Sequence, residues 1–250
     1  MTKVKNTGPG KVATIGATGS SPMILLYNFN SGDDLPKKEH FAMIAFVGTT
    51  AKFASQSKAI RLRIDIEGYA DSTGQTPPNL TLAKSRANSV KKKILAYGAP
   101  GSLVKIHPRG SDPKHQPSKA SPYKALVNNQ RISPLGGNEL DRSAQIFLQR
   151  SVSLKELKPD FSKKGWDSVI QQAYDKALWS VLNTNLLDIA KNHMPLWMTG
   201  LPTIDAKVKA AMRKKTIDII MEWAKRKGHG ITRQQVEKEI DSRKFDISKK

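Results

Sequence analysis

A strand, a polar turn and a helix follow one another in the middle of the chain, and this unit constrains the fold most. In residues 60–67 apolar side chains alternate with charged ones, the period of a strand with one buried face. Gly68 ends the alternation, and Asp71 with its polar neighbours supplies turn chemistry. In residues 80–97 apolar residues recur at helical spacing. The order predicts a strand–helix unit with Asp71 just past the strand end.

Prolines and a glycine set the expected limits of that helix. Pro77 and Pro78 are expected to prevent an earlier start, because proline has no backbone N–H donor. Gly98 is expected to cap the other end. Arg86 then lies in the first turns of the helix. An acid, Asp71, and a base are therefore expected near the same mouth of an αβ layer, where ligands commonly bind.

The flanking segments extend this unit into an α+β fold. Strands are predicted at residues 23–30, 103–107 and 141–148, and a helix at residues 37–55. The resulting order is β-α-β-α-β with a final β, which places helices on one side of a mixed sheet. A long basic loop, residues 111–138, precedes the last strand, and loops of this length are often functional.

Changes in composition divide the chain into four parts. Residues 1–21 lack periodicity and are expected to form a flexible arm, with a docking or delivery tag as the alternative. Residues 22–155 hold the α+β domain, and residues 156–165 form a polar linker. Residues 166–250 have helical patterns throughout, which predicts an all-α C-terminal domain.

The formal net charge is +21 and the pI is about 10.1. Such an excess predicts a polyanionic partner or environment: nucleic acid, anionic lipid or an anionic cell-wall polymer. The charge is spread along the chain, so an ordinary solvated surface is the alternative. The absence of cysteine excludes disulfides, thiolate metal sites and cysteine nucleophiles. The mean hydropathy is −0.48, and no membrane-spanning segment is predicted.

The sequence contains no HExxH, GxSxG or phosphate-loop motif. No catalytic residue, metal site or cofactor is therefore predicted, and the question of an enzymatic activity stays open. Isolated acids and histidines in the C-terminal helices are expected to lie at the surface. Tryptophans and methionines there are expected to be core residues.

Three motifs at characteristic spacing point to a known family. The turn is Gly68, Tyr69, Ala70, Asp71, Ser72 and Gly74; the helix start is Asn79, Leu82, Ala83, Arg86 and Ala87; the last strand begins Asp141, Arg142 and Ser143. In this order and spacing, residues 23–149 resemble the OmpA-like peptidoglycan-binding domain family, to which the OmpA C-terminal domain, Pal and MotB belong. Tyr69, Ala70, Ala83 and Ser143 depart from the family pattern.

The resemblance implies a ligand and roles for the motif residues. The ligand would be the stem peptide of peptidoglycan, held at meso-diaminopimelate, whose side chain ends in an ammonium and a carboxylate. Asp71 would take the ammonium and Arg86 the carboxylate. Asn79 and the turn backbone would complete the pocket, with Arg142 assisting. The full predicted site is Asp71, Arg86, Asn79, Gly68, Tyr69, Ala70, Ser72, Leu82 and Arg142. The alternative is a structural Asp71–Arg86 ion pair in which Asp71 caps its own turn.

The resulting hypothesis is a noncovalent anchor that holds the C-terminal helices at the cell wall, in the periplasm or cell envelope. No apolar stretch of signal-peptide length follows the first residues. Export is therefore expected by secretion or injection without a signal peptide, as an antibacterial effector with an immunity protein or as a part of a secretion apparatus. Alternatives are a C-terminal cell-wall hydrolase or membrane-disrupting toxin, and, with less support, a nucleic-acid-binding protein.

Overall fold

A computed structural model describes residues 3–6, 12–16, 23–73, 76–114, 116–119, 140–153, 159–183, 202–243, 245 and 247. The strands are β1 (Lys3–Asn6), β2 (Val12–Gly16), β3 (Met23–Leu26), β4 (Ile60–Tyr69), β5 (Val104–Gly110) and β6 (Ala144–Val152). The helices are α1 (Lys38–Ala54), α2 (Thr76–Ala96), α3 (Trp166–Asn183), α4 (Pro202–Arg226) and α5 (Arg233–Asp241). From β3 to β6 the order is β-α-β-α-β-β, as predicted.

Within the described residues, one mixed sheet has the strand order β1-β2-β3-β6-β4-β5. β4 pairs in parallel with β5 and antiparallel with β6. The even-numbered residues of β4 face the helices: Ile60, Leu62, Ile64 and Ile66 are buried in the core with side chains from α1 and α2. The predicted alternation of this strand, with its helices on one side, is therefore confirmed.

Two predictions about the sheet need correction. Residues 1–21 were expected to be a flexible arm, yet β1 and β2 form a hairpin in which β2 pairs with β3. Pairing with β3 satisfies the backbone N–H and C=O groups of β2, and local sequence patterns do not reveal such pairing. β3 is also shorter than predicted: it ends at Leu26, because Asn28 adopts a left-handed conformation with φ 62°.

The start of α2 also differs from expectation. Pro77 and Pro78 lie inside its first turn, because the N–H groups of that turn have no partner within the helix and their loss costs nothing there. The strand predicted at residues 103–107 is β5, which runs to Gly110 after a short 3-10 turn (Gly101–Leu103). The last strand begins at Ala144 rather than at residue 141. Gly74 and most of the basic loop, residues 120–138, lie outside the described residues.

The C-terminal helices pack beside α1 on the helical side of the sheet. The Tyr174 hydroxyl on α3 donates to the carbonyl of Phe53 on α1 at 2.9 Å. Arg213 on α4 holds Asp241 at the end of α5 through two hydrogen bonds of 2.6 and 3.0 Å. Thr232 caps α5 in a capping box. The secondary-structure elements described within residues 166–250 are helices, as predicted, while the domain boundaries themselves stay a prediction.

None of the described helices is both long enough and apolar enough to cross a bilayer. Likewise, no group of three or more potential metal ligands occurs among the residues with described positions.

Candidate functional site

The turn after β4 is fixed by close packing and by backbone bonds. A Cβ on Gly68 would lie 1.9 Å from the carbonyl oxygen of Ala83 on α2, so only glycine lets the helix approach the strand here. The Tyr69 N–H donates to the Ser143 carbonyl at 2.9 Å, and the Ala70 N–H donates to the Gly110 carbonyl at 2.9 Å. The turn is thereby tied to both neighbouring strands.

Asp71 lies at the centre of this turn and is 6% exposed. Its carboxylate accepts hydrogen bonds from the backbone N–H of Thr73, at 3.2 Å, and from the Thr73 hydroxyl. The Asn79 side-chain amide donates to the Asp71 carbonyl at 3.2 Å, which joins the turn to α2. Asp71 therefore caps its own turn, as the structural alternative expected, while its carboxylate keeps acceptor capacity for a further donor.

Arg142 pairs with this carboxylate. Its Nη1 lies 3.3 Å from Asp71 Oδ2, and its Nε donates to the Phe29 carbonyl at 2.9 Å. The Arg142 side chain is 19% exposed, against 8% for Asp71. Among the described residues, the cation that contacts Asp71 is thus Arg142, which lies just before β6, and its side chain is more exposed than the buried Arg86.

Arg86 is completely buried. Its Nε donates to the Asp33 carbonyl at 3.0 Å, its Nη1 to the Tyr69 carbonyl at 2.8 Å, and its Nη2 to the Asn30 carbonyl at 3.0 Å. The guanidinium also lies 5.6 Å from the centre of the Phe29 ring. Three of its five N–H groups are thus engaged within the described part of the chain, and one further N–H remains on each Nη.

Burial governs the electrostatics of Arg86. It lowers the pKa of Arg86 to about 10, and the Asp71 carboxylate opposes this shift more than any other group. The side chain is therefore protonated at neutral pH. Arg86 and Asp71 are electrostatically coupled, as expected from the sequence. Within the described residues, however, the hydrogen bonds of Arg86 go to backbone carbonyls and not to the Asp71 carboxylate.

A groove lies next to this cluster, between the loop after β3 and the first turns of α2. Its volume is about 650 Å³, within the usual range of ligand sites. The lining residues are Gly32, Asp34, Pro78, Thr81, Leu82 and Ser85. Two large apolar residues are exposed on the same two segments: Leu35 is 59% accessible and Leu80 is 47% accessible. Of the predicted site residues, Leu82 lines the groove and Ser72 is exposed at the turn.

Sequence reasoning missed the contribution of residues 116–119. The Ser118 N–H and hydroxyl donate to the Asp141 carboxylate at 2.9 and 2.7 Å. Burial raises the pKa of Asp141 above its ordinary value. Gln116 is buried beside the turn, and its Nε2 lies 3.5 Å from the Ala70 carbonyl. No spacing or motif in this Pro- and Lys-rich segment signals these contacts, because they form only when the loop folds back on the turn.

A second cavity, of about 570 Å³, lies at the opposite end of the sheet. It is lined by Lys58 from the start of β4, Ser153 after β6, and Asp175 and Lys176 on α3, among others. Asp175 is buried, and that burial raises its pKa, while hydrogen bonds from Ser57 and Gln171 oppose the rise. This carboxyl group ties α3 to the connection before β4.

Comparison with protein families gives one match: residues 39–129 match the model of the OmpA family. This confirms the resemblance for the segment from α1 to the loop after β5. The match ends before β6 and Arg142. A comparison with curated proteins found no match.

A comparison with solved structures also gave matches. The peptidoglycan-associated lipoprotein from Burkholderia pseudomallei is 17% identical with a TM-score of 0.38, covering 49% of this chain and 88% of that one. The periplasmic domain of MotB from Helicobacter pylori is 18% identical with a TM-score of 0.41, covering 65% of this chain and 92% of that one. These scores are low, so the resemblance to the OmpA family rests on the match of residues 39–129.

Proposed function

We propose that the OmpA family domain of this chain binds peptidoglycan noncovalently, at the meso-diaminopimelate of the stem peptide, and so holds the C-terminal helices at the bacterial cell wall. The observation that carries the proposal is the ion pair of Asp71 with Arg142 at the end of β4, electrostatically coupled to the buried Arg86 and beside an open groove. The expected location is the periplasm or cell envelope.

The chemistry of the ligand fits this arrangement. The diaminopimelate side chain carries an ammonium and a carboxylate at a fixed separation, so a site for it needs an acid and a base. Asp71 accepts the ammonium through oxygens that now bind Arg142 and Thr73. Asn79 holds the turn in place, and the backbone from Gly68 to Ala70 forms the floor. Leu82 and Ser72 lie at the rim.

The carboxylate end has two candidate partners. Arg142 is partly exposed and reaches a ligand with a small change of rotamer. Arg86 is enclosed by the carbonyls of Asn30 and Asp33, so it reaches a ligand only where the loop after β3 moves aside. We therefore assign Arg142 the direct contact in the closed form of the loop. Arg86 holds the site together and adds its two remaining N–H groups when the loop opens.

The test is co-sedimentation with purified diaminopimelate-type sacculi at about 0.15 M salt, where charge attraction is screened beyond about 8 Å. Asp71→Asn and Arg142→Gln should each weaken binding about tenfold or more, because a charged hydrogen bond contributes roughly 1.5–3 kcal/mol. Glu222→Gln, at an exposed acid on α4, is the matched control and should bind as wild type.

Free meso-diaminopimelate should compete, and lysine should compete worse because it lacks the second carboxylate. If all variants pellet alike, the net charge of the protein drives the association and the proposal is wrong. Delivery as an effector, an immunity partner, a hydrolase or toxin activity in the helices, and a secretion-apparatus role stay predictions. For a nucleic-acid-binding protein, affinity would depend steeply on salt and would not change in Asp71→Asn.

A further inference from the structure

The sheet has a second face, opposite the helices, that the proposed wall binding does not use. In β4 the odd-numbered residues Arg61 and Arg63 are exposed while their even-numbered neighbours are buried. The parallel register places Asp65 beside Lys105 and Glu67 beside His107 on β5. Side chains two residues apart on a strand share one face, so these residues lie on the same side of the sheet.

Five cationic or protonatable side chains make up this surface, called here the basic sheet face: Arg61, Arg63, Lys105, His107 and Arg109. The side chains of Arg63, His107 and Arg109 are 48%, 39% and 37% exposed. The two acids among them are recessed, with the Asp65 side chain 7% and the Glu67 side chain 14% exposed. The outer layer of the face is therefore cationic, although β4 contributes two acids as well as two bases to it.

The recessed acids also fix the positions of the bases. Asp65 Oδ1 accepts from Arg63 Nε and Nη2 at 3.1 and 2.9 Å, and His107 Nε2 lies 2.9 Å from the same oxygen. Glu67 accepts from Arg109. The guanidinium groups of Arg63 and Arg109 are thus held by carboxylates with N–H groups left over, an arrangement that loses little side-chain entropy when it meets an anion.

The shape of the array favours a flat partner. Successive cationic positions lie about 6.6 Å apart along each strand, and the two strands lie about 4.8 Å apart, which gives a shallow two-dimensional patch. Both cavities described above lie elsewhere on the molecule. A platform for single-stranded nucleic acid needs exposed aromatic rings, and the aromatic residue paired with Asp65 in the register, Phe147, is half-buried.

We propose that the basic sheet face docks on the surface of a membrane that contains anionic phospholipids. Arginine and lysine side chains of the array pair with headgroup phosphates, and the attraction adds up over the array. The contact is peripheral and electrostatic, and it is separate from the Asp71 site at the end of β4. The inference does not depend on the proposed wall binding.

The experiment is flotation of the full chain with vesicles of phosphatidylcholine containing 30% phosphatidylglycerol, at about 0.1 M salt. The test variant is Arg61→Glu/Lys105→Glu, which breaks no ion pair shown for the described residues and leaves Asp65 and Glu67 paired. The matched control is Lys84→Glu/Lys92→Glu on the exposed side of α2, with the same change of net charge.

Wild type should float with the anionic vesicles and stay behind with pure phosphatidylcholine. The sheet variant should partition about thirtyfold more weakly or worse, because each basic residue near the surface contributes a factor of about five. The α2 control should lose less than about threefold, and Asp71→Asn should behave as wild type. Equal losses in the two charge-reversal variants, or no flotation of wild type, would overturn the proposal. The proposal would also be overturned if the sheet variant lost binding to a fluorescent oligothymidine but kept its binding to the anionic vesicles.

Discussion

Replacing Arg86 by methionine tests whether this residue is mainly a ligand contact or mainly a structural tie. Methionine keeps most of the length and removes the three hydrogen bonds to the carbonyls of Asp33, Tyr69 and Asn30. Those carbonyls belong to the loop after β3 and to the end of β4. The change therefore releases the loop after β3, which forms one wall of the groove, from the end of β4.

The expected loss follows from the geometry. Three charged hydrogen bonds at roughly 1.5–3 kcal/mol each give a gross contribution of about 4–9 kcal/mol. The pKa of Arg86, lowered to about 10, corresponds to a net cost of roughly 3 kcal/mol for holding the charge in the folded state, which the apolar side chain does not have. The net destabilisation of Arg86→Met should therefore be about 1–6 kcal/mol. At about 2–4 °C per kcal/mol, Tm should fall by roughly 2–24 °C.

The assay is urea unfolding followed by near-ultraviolet circular dichroism, with Arg61→Met as control. Arg61 is an exposed arginine on β4, and its replacement should change the free energy of unfolding by less than about 0.5 kcal/mol. Arg86→Lys should be intermediate, because one ammonium cannot reach three carbonyls. The reasoning is refuted if Arg86→Met unfolds at the same urea concentration as Arg61→Met. Loss of sacculus binding with unchanged stability would instead identify Arg86 as a direct ligand contact.

Three further predictions concern the packing of the fold. Gly68→Ala should cost about 3 kcal/mol or more, since its Cβ would meet a backbone oxygen at 1.9 Å, whereas Gly101→Ala, with no atom within 4 Å, should be nearly neutral in thermal unfolding. Tyr174→Phe should cost about 1 kcal/mol through loss of the hydrogen bond to the Phe53 carbonyl, which keeps the Gln56 N–H as a donor, and should shift a single urea transition; two transitions with only one shifted would contradict joint unfolding of the helices and sheet. Burial raises the pKa of Asp175 above 3.8, so the folded state binds its proton more tightly than the unfolded state. Relative to Asp175→Asn, wild type should therefore gain stability as pH falls from neutral through the window just above 3.8, and parallel stability–pH curves would disprove this.

The sequence predicted the order of the elements well where hydrophobic periodicity is strong. β4 and α1 lie within a residue or two of their expected bounds, because β4 buries one face at a regular period and α1 is buried along most of its length. The sequence-based prediction was wrong at the ends of several elements. Asn28 ends β3 through its own backbone conformation, and Pro77 and Pro78 are tolerated inside the first turn of α2. Propensity rules describe the average position of a residue and not its place within a turn.

The candidate site shows the same division. The spacing of Asp71, Asn79 and Arg86 brings their positions together at the end of β4, and the structure places them there. The choice of partner was not predictable: Arg142 takes the Asp71 carboxylate, while Arg86 binds backbone carbonyls. That choice depends on which donor reaches which acceptor once β6 lies beside β4, and pairing between distant strands is invisible in local spacing.

By itself the sequence determined the α+β order of the domain, the buried face of each strong element, and the presence of an acid and a base at one strand end. These features follow from periodicity and turn chemistry, which act between near neighbours. Only the tertiary structure decided that Arg86 is enclosed, that β1 and β2 join the sheet, and that Arg61, Arg63 and Lys105 share an exposed face. Burial and strand register are properties of the packed chain, so residues far apart in sequence determine them together.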